Sequence, residues 1–495
     1  MKNIRVTYSG FISLLVGFSS IITGTIFTLI VTRQLSQEEF GTWSLIGSLI
    51  GYTMVTSPII TFWSTREIAR GIDSAKTAIF AAMLFSAIAM IVYVILAFVV
   101  GDNTGVNPLV LLFAIILIPL MFLNRILTAI MIASKPHVQA YGLFVYETAK
   151  IPVAFLLVYI FEMGLEGAII TTAIAYVPSI VILGYHSKEF IIGKIRFQTI
   201  KKWVKHSWVP AINQSITFLA TLDVLIFSVI TGSVLGLAFW AAASAIANIV
   251  NHSGRISVAL YPKLLEGGKE EYVSQSMSWL FYFGIPLVAF AIIFAKPGLF
   301  VLNPLYENAF PIVIFLSIRI FAESFLRLCS NALIGTEKVD TKNSTFNEYV
   351  KSQLFKAPMI RIIQYSTYVI SLIIILTIFI DSPDLELVTY WAFIILAVQI
   401  PFTIYFYILL RKEFSINTQI KQISKYTLIS IVVFGSVYLV MENYLEYKIE
   451  IFEFLPNLLI YAILSVLAYF GIVYFLDKKT RELLMKTINE IKGKN

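Results

Sequence analysis

Residues 77–100 read TAIFAAMLFSAIAMIVYVILAFVV, an apolar run without a single charged side chain. An α-helix rises about 1.5 Å per residue, so a run of this length can cross a hydrocarbon layer of about 30 Å. The rest of the chain has the same character, since 58% of its 495 residues are hydrophobic and 13% are charged. Soluble domains contain about 25% charged residues. Residues 77–100 therefore predict a membrane-spanning helix in a largely membrane-embedded chain.

Fourteen stretches of this kind follow one another along the sequence. They are 8–32, 41–63, 77–100, 108–132, 140–161, 165–185, 207–231, 235–262, 276–297, 309–334, 357–380, 387–410, 424–441 and 455–476. A backbone in lipid must satisfy its own hydrogen bonds, and these stretches are too long to be barrel strands. The sequence therefore predicts an all-α polytopic membrane protein with about 14 transmembrane helices.

The distribution of basic residues predicts how these helices are oriented. With the N-terminus inside, 29 of the 37 Lys and Arg residues fall in inner segments and three, Arg33, Lys296 and Lys448, fall in outer loops. Cytoplasmic loops of membrane proteins carry such an excess of Lys and Arg. We therefore expect both termini on the cytoplasmic side, and attribute the net charge of +8 to membrane orientation rather than to nucleic-acid binding.

Two similar segments indicate an internal repeat. Residues 125–135 and 327–337 each read Arg, a hydroxyl residue three positions later, then Ile, a small residue and a second hydroxyl residue. Parallel repeats related by an axis along the membrane normal occur in transporters. The alternative is chance similarity between apolar segments. The repeat predicts an N-terminal lobe (1–186, helices 1–6), a linker (187–206), a C-terminal lobe (207–412, helices 7–12) and a final region with helices 13–14 and a cytoplasmic tail (413–495).

The linker is the longest basic segment. In 188–206, Ile192, Ile195, Ile200 and Trp203 lie near helical spacing between Lys and Arg residues. A basic amphipathic helix of this kind is expected to lie on the inner leaflet, near anionic headgroups. It is interpreted as a tether between the lobes, with a specific lipid site as the alternative.

Charged residues within the predicted spans are the strongest functional signal, because a charge in the bilayer is costly unless it is paired or faces water. The basic ones are candidates for binding an anionic head group in a cavity; they are Arg125, Lys150, Arg319 and Arg327. The acidic ones are candidates for coupling to H⁺ or Na⁺; they are Asp223, Glu323 and Glu147. The alternative is that these residues form neutralised pairs which fix helix packing, as Arg125 and Glu147 would at similar depth.

The sequence contains no recognisable set of catalytic or metal-binding residues. Cys329 is the only cysteine, so the chain has neither a disulfide framework nor a cysteine-based metal site. The four histidines are scattered and form no ligand set. No catalytic residues, metal or cofactor are therefore predicted, apart from the coupling ion.

Several short motifs resemble the polysaccharide-transporter family of O-antigen-type flippases, within the multidrug/oligosaccharidyl-lipid/polysaccharide exporter superfamily. They are Thr32-Arg-Gln-Leu-Ser-Gln-Glu-Glu-Phe-Gly41, Arg66-Glu-Ile-Ala69, Asp223 ahead of a glycine-bearing turn, and Leu260-Tyr-Pro-Lys-Leu264. The resemblance runs along nearly the whole chain, and a count of two six-helix lobes plus two helices fits this family.

The resemblance implies a non-enzymatic flippase in the plasma membrane that moves a polyprenyl-diphosphate-linked oligosaccharide to the outer leaflet by alternating access, for cell-envelope polysaccharide or glycan assembly. The implied partners are this lipid-linked oligosaccharide, membrane lipids and other envelope-glycan assembly proteins. An ion-coupled multidrug/cation antiporter is the alternative, although helix 1 lacks the acidic residue expected for it. A polytopic glycosyltransferase, polymerase or ligase is a weaker alternative because the outer loops are short.

Overall fold

The computed structural model describes residues 6–191, 193–254, 270–337, 346–414, 420–477 and 481. Within these ranges every regular element is helical. The predicted motif Leu260–Leu264 lies outside the described residues.

The first half of the chain forms thirteen α-helices. They are α1 (Val6–Gln34), α2 (Gln37–Thr53), α3 (Ser57–Ala69), α4 (Ala75–Thr104), α5 (Pro108–Phe113), α6 (Leu117–Ser134), α7 (Pro136–Ala154), α8 (Gly164–Ser187), α9 (Phe197–Lys205), α10 (Trp208–Thr221), α11 (Asp223–Thr231), α12 (Leu235–Ala247) and α13 (Asn251–Gly254).

Eight further α-helices follow among the described residues from Glu270 onward. They are α14 (Glu270–Ile293), α15 (Ala295–Leu302), α16 (Phe310–Gly335), α17 (Phe346–Lys351), α18 (Gln353–Ile378), α19 (Asp384–Glu413), α20 (Ile420–Tyr444) and α21 (Ile451–Leu476).

Thirteen helical segments among the described residues are long and apolar enough to cross a membrane, and the chain is a multi-pass membrane protein. They match thirteen of the fourteen predicted spans; the run 77–100, for example, lies within Ala75–Thr104. The first predicted span, 8–32, falls within α1. The all-α polytopic fold is thus confirmed, and the orientation of the termini stays a prediction.

Prolines account for two interruptions within the spans. Pro58 and Pro119 have no N–H to donate to the carbonyl four residues earlier. Short 3₁₀ segments, Met54–Thr56 and Ala114–Ile116, end two and three residues before these prolines. After Pro152 the helix widens into a π-helix at Phe155–Ile160. Such changes of helical pitch often mark hinges or functional regions.

The linker helix is shorter than predicted. The amphipathic helix expected over 188–206 begins only at Phe197 and ends at Lys205. Gly193 has a φ of +93°, a left-handed conformation that interrupts a right-handed helix, and the carboxylate of Asp73 lies against it. Trp203, predicted to face the membrane surface, is instead buried.

The chain divides into two compact units. Unit 1 comprises Met1–Ala241 and Arg361–Val388, and unit 2 comprises Ala242–Ile360 and Thr389–Asn495. These boundaries do not coincide with those of the predicted lobes and linker, so the lobe division stays a prediction.

Within unit 1, α7 packs against α1 and α8, and α6 packs against α3, α4 and α8. Gly142 permits the close approach of α7 and α8, because a Cβ at this position would lie 2.8 Å from the side chain of Leu183. α7 and α8 therefore lie together, with α1 against α7 and α6 against both.

Within unit 2, α14 packs against α16 and α20. The Tyr426 hydroxyl donates to a carboxylate oxygen of Asp477 at 2.8 Å, and the Tyr282 and Tyr426 rings lie 5.7 Å apart. The final two helices are therefore fastened to α14 through aromatic residues.

Candidate functional site

Lys150 lies near the middle of the predicted span that contains α7, and its side chain is only 10% exposed. Its Nζ lies 2.8 Å from Oε2 of Glu147, one turn earlier on the same helix. Residues three apart on a helix are neighbours, so this pair forms without help from another helix. The ion pair offsets part of the cost of holding an ammonium group in the bilayer.

Two aromatic rings complete the surroundings of Lys150. Its Nζ lies 4.9 Å from the centre of the Phe27 ring on α1 and 4.8 Å from that of Tyr146 on α7. A cation within about 6 Å of an aromatic face is attracted by the ring quadrupole. The Lys150 side chain is therefore surrounded by one carboxylate and two aromatic rings inside unit 1.

Arg125 lies next to this arrangement on α6, and its side chain is exposed. It interacts electrostatically with the hydroxyl of Tyr176 on α8. Tyr176 in turn contacts Tyr146, since their ring centres lie 4.5 Å apart. Arg125 is thereby connected to Lys150 through two tyrosines.

We call Arg125, Glu147 and Lys150, with Phe27, Tyr146 and Tyr176, the cationic cluster. The structure thus brings together three of the residues selected from the sequence. The expected pairing of Arg125 with Glu147 was wrong, because Lys150 lies on the same helix face as Glu147 and forms its ion pair.

The charges of the cationic cluster favour an anion. The cluster contains two basic side chains and one carboxylate, which pairs with Lys150, so its formal charge is positive. The exposed guanidinium of Arg125 presents several N–H donors in a planar arrangement that suits phosphate oxygens. The chemistry of these side chains suits a phosphate or diphosphate group better than a cation.

Asp223 occupies a separate position in unit 1, at the start of α11, and is 6% exposed. The Tyr368 hydroxyl on α18 donates to Oδ2 of Asp223 at 2.9 Å, and the Val224 N–H donates to Oδ1 at 2.9 Å. The Tyr52 hydroxyl donates to the Thr221 carbonyl and accepts the Leu225 N–H on either side of Asp223. A buried carboxylate that accepts hydrogen bonds from a tyrosine hydroxyl and a backbone N–H is suited to exchange a proton or contact a small cation.

The charged residues of predicted helix 10 lie in unit 2, on α16. Nε of Arg327 lies 3.6 Å from Oε1 of Glu323. The Arg327 side chain is 55% exposed, whereas that of Glu323 is 9% exposed. Arg319, one turn before Glu323, is half-buried. Arg327 therefore pairs with Glu323 one turn earlier, while more than half of its side chain stays exposed.

The motif at 32–41 holds helix ends together. Ser36 caps α2 by accepting the Glu39 N–H, while the Glu39 carboxylate accepts the Ser36 N–H at 2.9 Å. The other Glu39 oxygen accepts the N–H of Leu165 at the start of α8 at 3.3 Å. A Cβ on Gly41 would collide with the Val234 carbonyl, so only glycine fits there. This motif has a structural role.

The Arg66–Ala69 motif is also structural. The Trp203 indole N–H on α9 donates to Oε1 of Glu67 at 3.2 Å, and Nζ of Lys202 lies 3.6 Å from the same oxygen. The linker helix is thereby attached to the end of α3.

No family profile matches the sequence, and no curated protein matches it. Solved structures do match. The lipid II flippase MurJ, in an inward-closed conformation, has a TM-score of 0.65 at 14% identity, over 95% of this chain and 99% of that chain. An inward-facing multidrug resistance MATE family transporter of the MOP superfamily has a TM-score of 0.58 at 12% identity, over 80% of this chain and 94% of that chain. At these identities the similarity shows a common fold.

Proposed function

We propose that the chain is a flippase of the MOP superfamily, which moves a polyprenyl-diphosphate-linked oligosaccharide from the cytoplasmic to the outer leaflet by alternating access. The observation that carries this proposal is the cationic cluster, where Arg125 and Lys150 lie in the middle of membrane-spanning helices. A fold shared with the lipid II flippase MurJ over nearly the whole chain supports it. The product would serve assembly of cell-envelope polysaccharide at the plasma membrane.

In this mechanism the hydrocarbon tail stays in the lipid while the diphosphate head contacts the basic residues. Arg125 binds phosphate oxygens first because its side chain is exposed. Lys150 joins after Glu147 releases it. Arg319 and Arg327 are proposed as the phosphate contacts of unit 2.

The acidic residues would couple transport to an ion. Glu147 would take up a proton when a phosphate group replaces it beside Lys150. Asp223, with its Tyr368 hydrogen bond, and Glu323, beside Arg327, are the further candidates for H⁺ or Na⁺ coupling.

An ion-coupled multidrug antiporter is the second candidate, supported by the fold shared with a MATE transporter and by the buried Asp223. The positive charge of the cationic cluster favours an anionic ligand over the cationic drugs of such an antiporter.

Reconstitution in proteoliposomes tests the flippase. A pool of lipid-linked oligosaccharide is included, and the fraction of head groups accessible to an enzyme added outside is measured. Protein-dependent exposure is expected, with a loss of about tenfold or more in Arg125→Ala, since a hydrogen bond to a charged group contributes about 1.5–3 kcal/mol.

Lys296→Ala is the matched control, because this lysine pairs with Glu307 within unit 2 and is not a residue of the cationic cluster. It should retain normal translocation. Equal exposure in wild type and Arg125→Ala would remove the cluster from the mechanism. No exposure, together with gradient-driven efflux of a cationic dye, would establish the antiporter instead.

A further inference from the structure

The membrane-spanning segment that contains Asp223 is broken at Leu222. α10 ends at Thr221 and α11 begins at Asp223, yet the two helices together form one membrane-spanning segment, Pro210–Thr231. In an uninterrupted α-helix the Leu225 N–H would donate to the Thr221 carbonyl, four residues earlier. The break falls across that bond, with Asp223 between its two ends.

The hydroxyl of Tyr52, on α2, is inserted into this backbone bond. It donates to the Thr221 carbonyl and accepts the Leu225 N–H at 3.3 Å. A side chain that enters the backbone ladder of a helix is one of the known causes of a kink. Backbone groups without a partner are costly in the membrane, so the hydroxyl also stabilises the break. The break between α10 and α11 therefore depends on a residue of another helix.

Tyr52 reaches this position because α2 packs against both α10 and α11. Tyr52 is 8% exposed, and its ring lies edge-on to that of Phe218 on α10, with ring centres 6.1 Å apart. α2 belongs to the predicted N-terminal lobe, whereas α10 and α11 belong to the predicted C-terminal lobe. A movement of one lobe relative to the other would therefore withdraw the hydroxyl from the break.

The break also determines the surroundings of Asp223. The Val224 N–H donates to Oδ1 of Asp223, and the Tyr368 hydroxyl donates to Oδ2. Once the Tyr52 hydroxyl is withdrawn, the Leu225 N–H and the carbonyl four residues earlier can bond to each other, and Asp223 then lies inside a continuous helix. The direction of a side chain follows from the helical turn that carries it, so the carboxylate would change its position relative to α18. Asp223 therefore has different surroundings in the two arrangements of α2.

We propose that Tyr52 is a positioning residue for Asp223: its hydroxyl gives the coupling-ion site its shape only while α2 is packed against α10 and α11. The inference rests on the proposed function, in which Asp223 is a candidate for coupling to H⁺ or Na⁺, and adds the residue that links Asp223 to a conformational change. A ligand shifts a conformational equilibrium only by its differential affinity for the two states. Through Tyr52, the ion at Asp223 binds one arrangement of α2 more tightly than the other, as coupling requires.

The test measures translocation of the lipid-linked oligosaccharide pool in proteoliposomes, with and without an imposed Na⁺ or proton gradient. Tyr52→Phe keeps the ring and removes the hydroxyl, and Phe218→Leu removes the ring against which Tyr52 packs. Asp223→Asn is the reference for a lost coupling site. Tyr93→Phe is the matched control, because the Tyr93 hydroxyl is also buried in unit 1 and donates to a backbone carbonyl, that of Leu111, at 2.8 Å.

The gradient is expected to raise the translocation rate of the wild type. Tyr52→Phe should lower the gradient-driven part of the rate by about tenfold, the effect of losing one hydrogen bond. Phe218→Leu should change it in the same direction, and Asp223→Asn should abolish it. Tyr52→Phe should still bind inorganic diphosphate like the wild type, which shows that the variant is folded and that the cationic cluster is intact. Tyr93→Phe should keep both properties.

Three results would overturn the positioning role of Tyr52. If Tyr52→Phe responds to the gradient like the wild type while Asp223→Asn does not, Asp223 acts without Tyr52. If Tyr93→Phe loses as much as Tyr52→Phe, the loss is a general effect of removing a buried hydroxyl. If the wild type does not respond to a gradient, or Asp223→Asn still responds, the coupling role of Asp223 fails together with the inference. Translocation without a gradient leaves the flippase intact in all three cases, whereas a wild type that translocates nothing contradicts the proposed function itself.

Discussion

At the scale of single residues, charge within apolar runs indicated side chains that the structure brings together, but it did not indicate all of their partners. Arg125, Glu147 and Lys150 follow from charge within apolar runs, and the structure places them together. The neighbouring tyrosines were missed because an aromatic residue in an apolar segment has no distinguishing pattern. Tyr368 lies 145 residues from Asp223 in the sequence, so their hydrogen bond left no local signal.

Glu147 is expected to limit how tightly the cationic cluster holds an anion. Glu147→Gln keeps the shape of the side chain but removes the charge that neutralises Lys150. Binding of inorganic diphosphate should become about tenfold tighter, because a charge-assisted bond to Lys150 becomes available. Isothermal titration calorimetry on wild type and variant measures this.

Glu307→Gln is the control, since Glu307 neutralises Lys296 in the same way elsewhere. Unchanged diphosphate affinity in Glu147→Gln would show that the Glu147–Lys150 pair serves packing alone.

At the scale of helices and connections, the sequence was most informative where hydropathy or proline decides the structure. The spans follow from uninterrupted apolar length, and the 3₁₀ segments follow from Pro58 and Pro119. The length of the linker helix was overestimated, because hydrophobic spacing does not reveal that Gly193 adopts a positive φ, which interrupts a helix. The attachment of Trp203 to Glu67 joins residues far apart in the chain, and no periodicity could reveal it.

Trp203→Phe tests that attachment. It retains an aromatic ring but removes the indole N–H, leaving a buried oxygen of Glu67 with one partner fewer. We expect a loss of about 1–3 kcal/mol in stability, seen as a lower unfolding temperature in detergent.

Trp208→Phe serves as the comparison, because Trp208 is 57% exposed. Equal unfolding temperatures for the two variants would contradict a stabilising role for the Trp203–Glu67 bond.

At the scale of the whole molecule, the sequence predicted the fold class correctly, because a count of apolar runs is sufficient for a polytopic helical protein. Its division was harder to predict. The two compact units exchange segments, since 361–388 belongs to unit 1 and 242–360 to unit 2. A sequence repeat assigns each lobe a continuous stretch of chain. It therefore cannot show that a later segment, such as 361–388, packs with the first unit.

The orientation prediction is tested with introduced cysteines. Cys329 is fully buried, so a membrane-impermeant maleimide should react little with the native chain. In intact cells Lys448→Cys, in a predicted outer loop, should be labelled. Lys194→Cys, in the predicted inner linker, should be labelled only after the membrane is opened.

Labelling of Lys194→Cys but not Lys448→Cys in intact cells would reverse the topology. Labelling of both variants in intact cells would place residues 194 and 448 on the same side of the membrane. That result would contradict the predicted odd number of crossings between these two positions.

The shared carboxylate of Glu39 has a mechanical consequence. One of its oxygens closes the turn between α1 and α2, and the other holds the start of α8, so these three helix ends must travel together. The 3₁₀ segments at Met54–Thr56 and Ala114–Ile116 lie well inside their spans, away from this fastening. When unit 1 changes shape, we expect the helix ends joined by Glu39 to move as one body. Bending should then occur at the two 3₁₀ segments near Pro58 and Pro119.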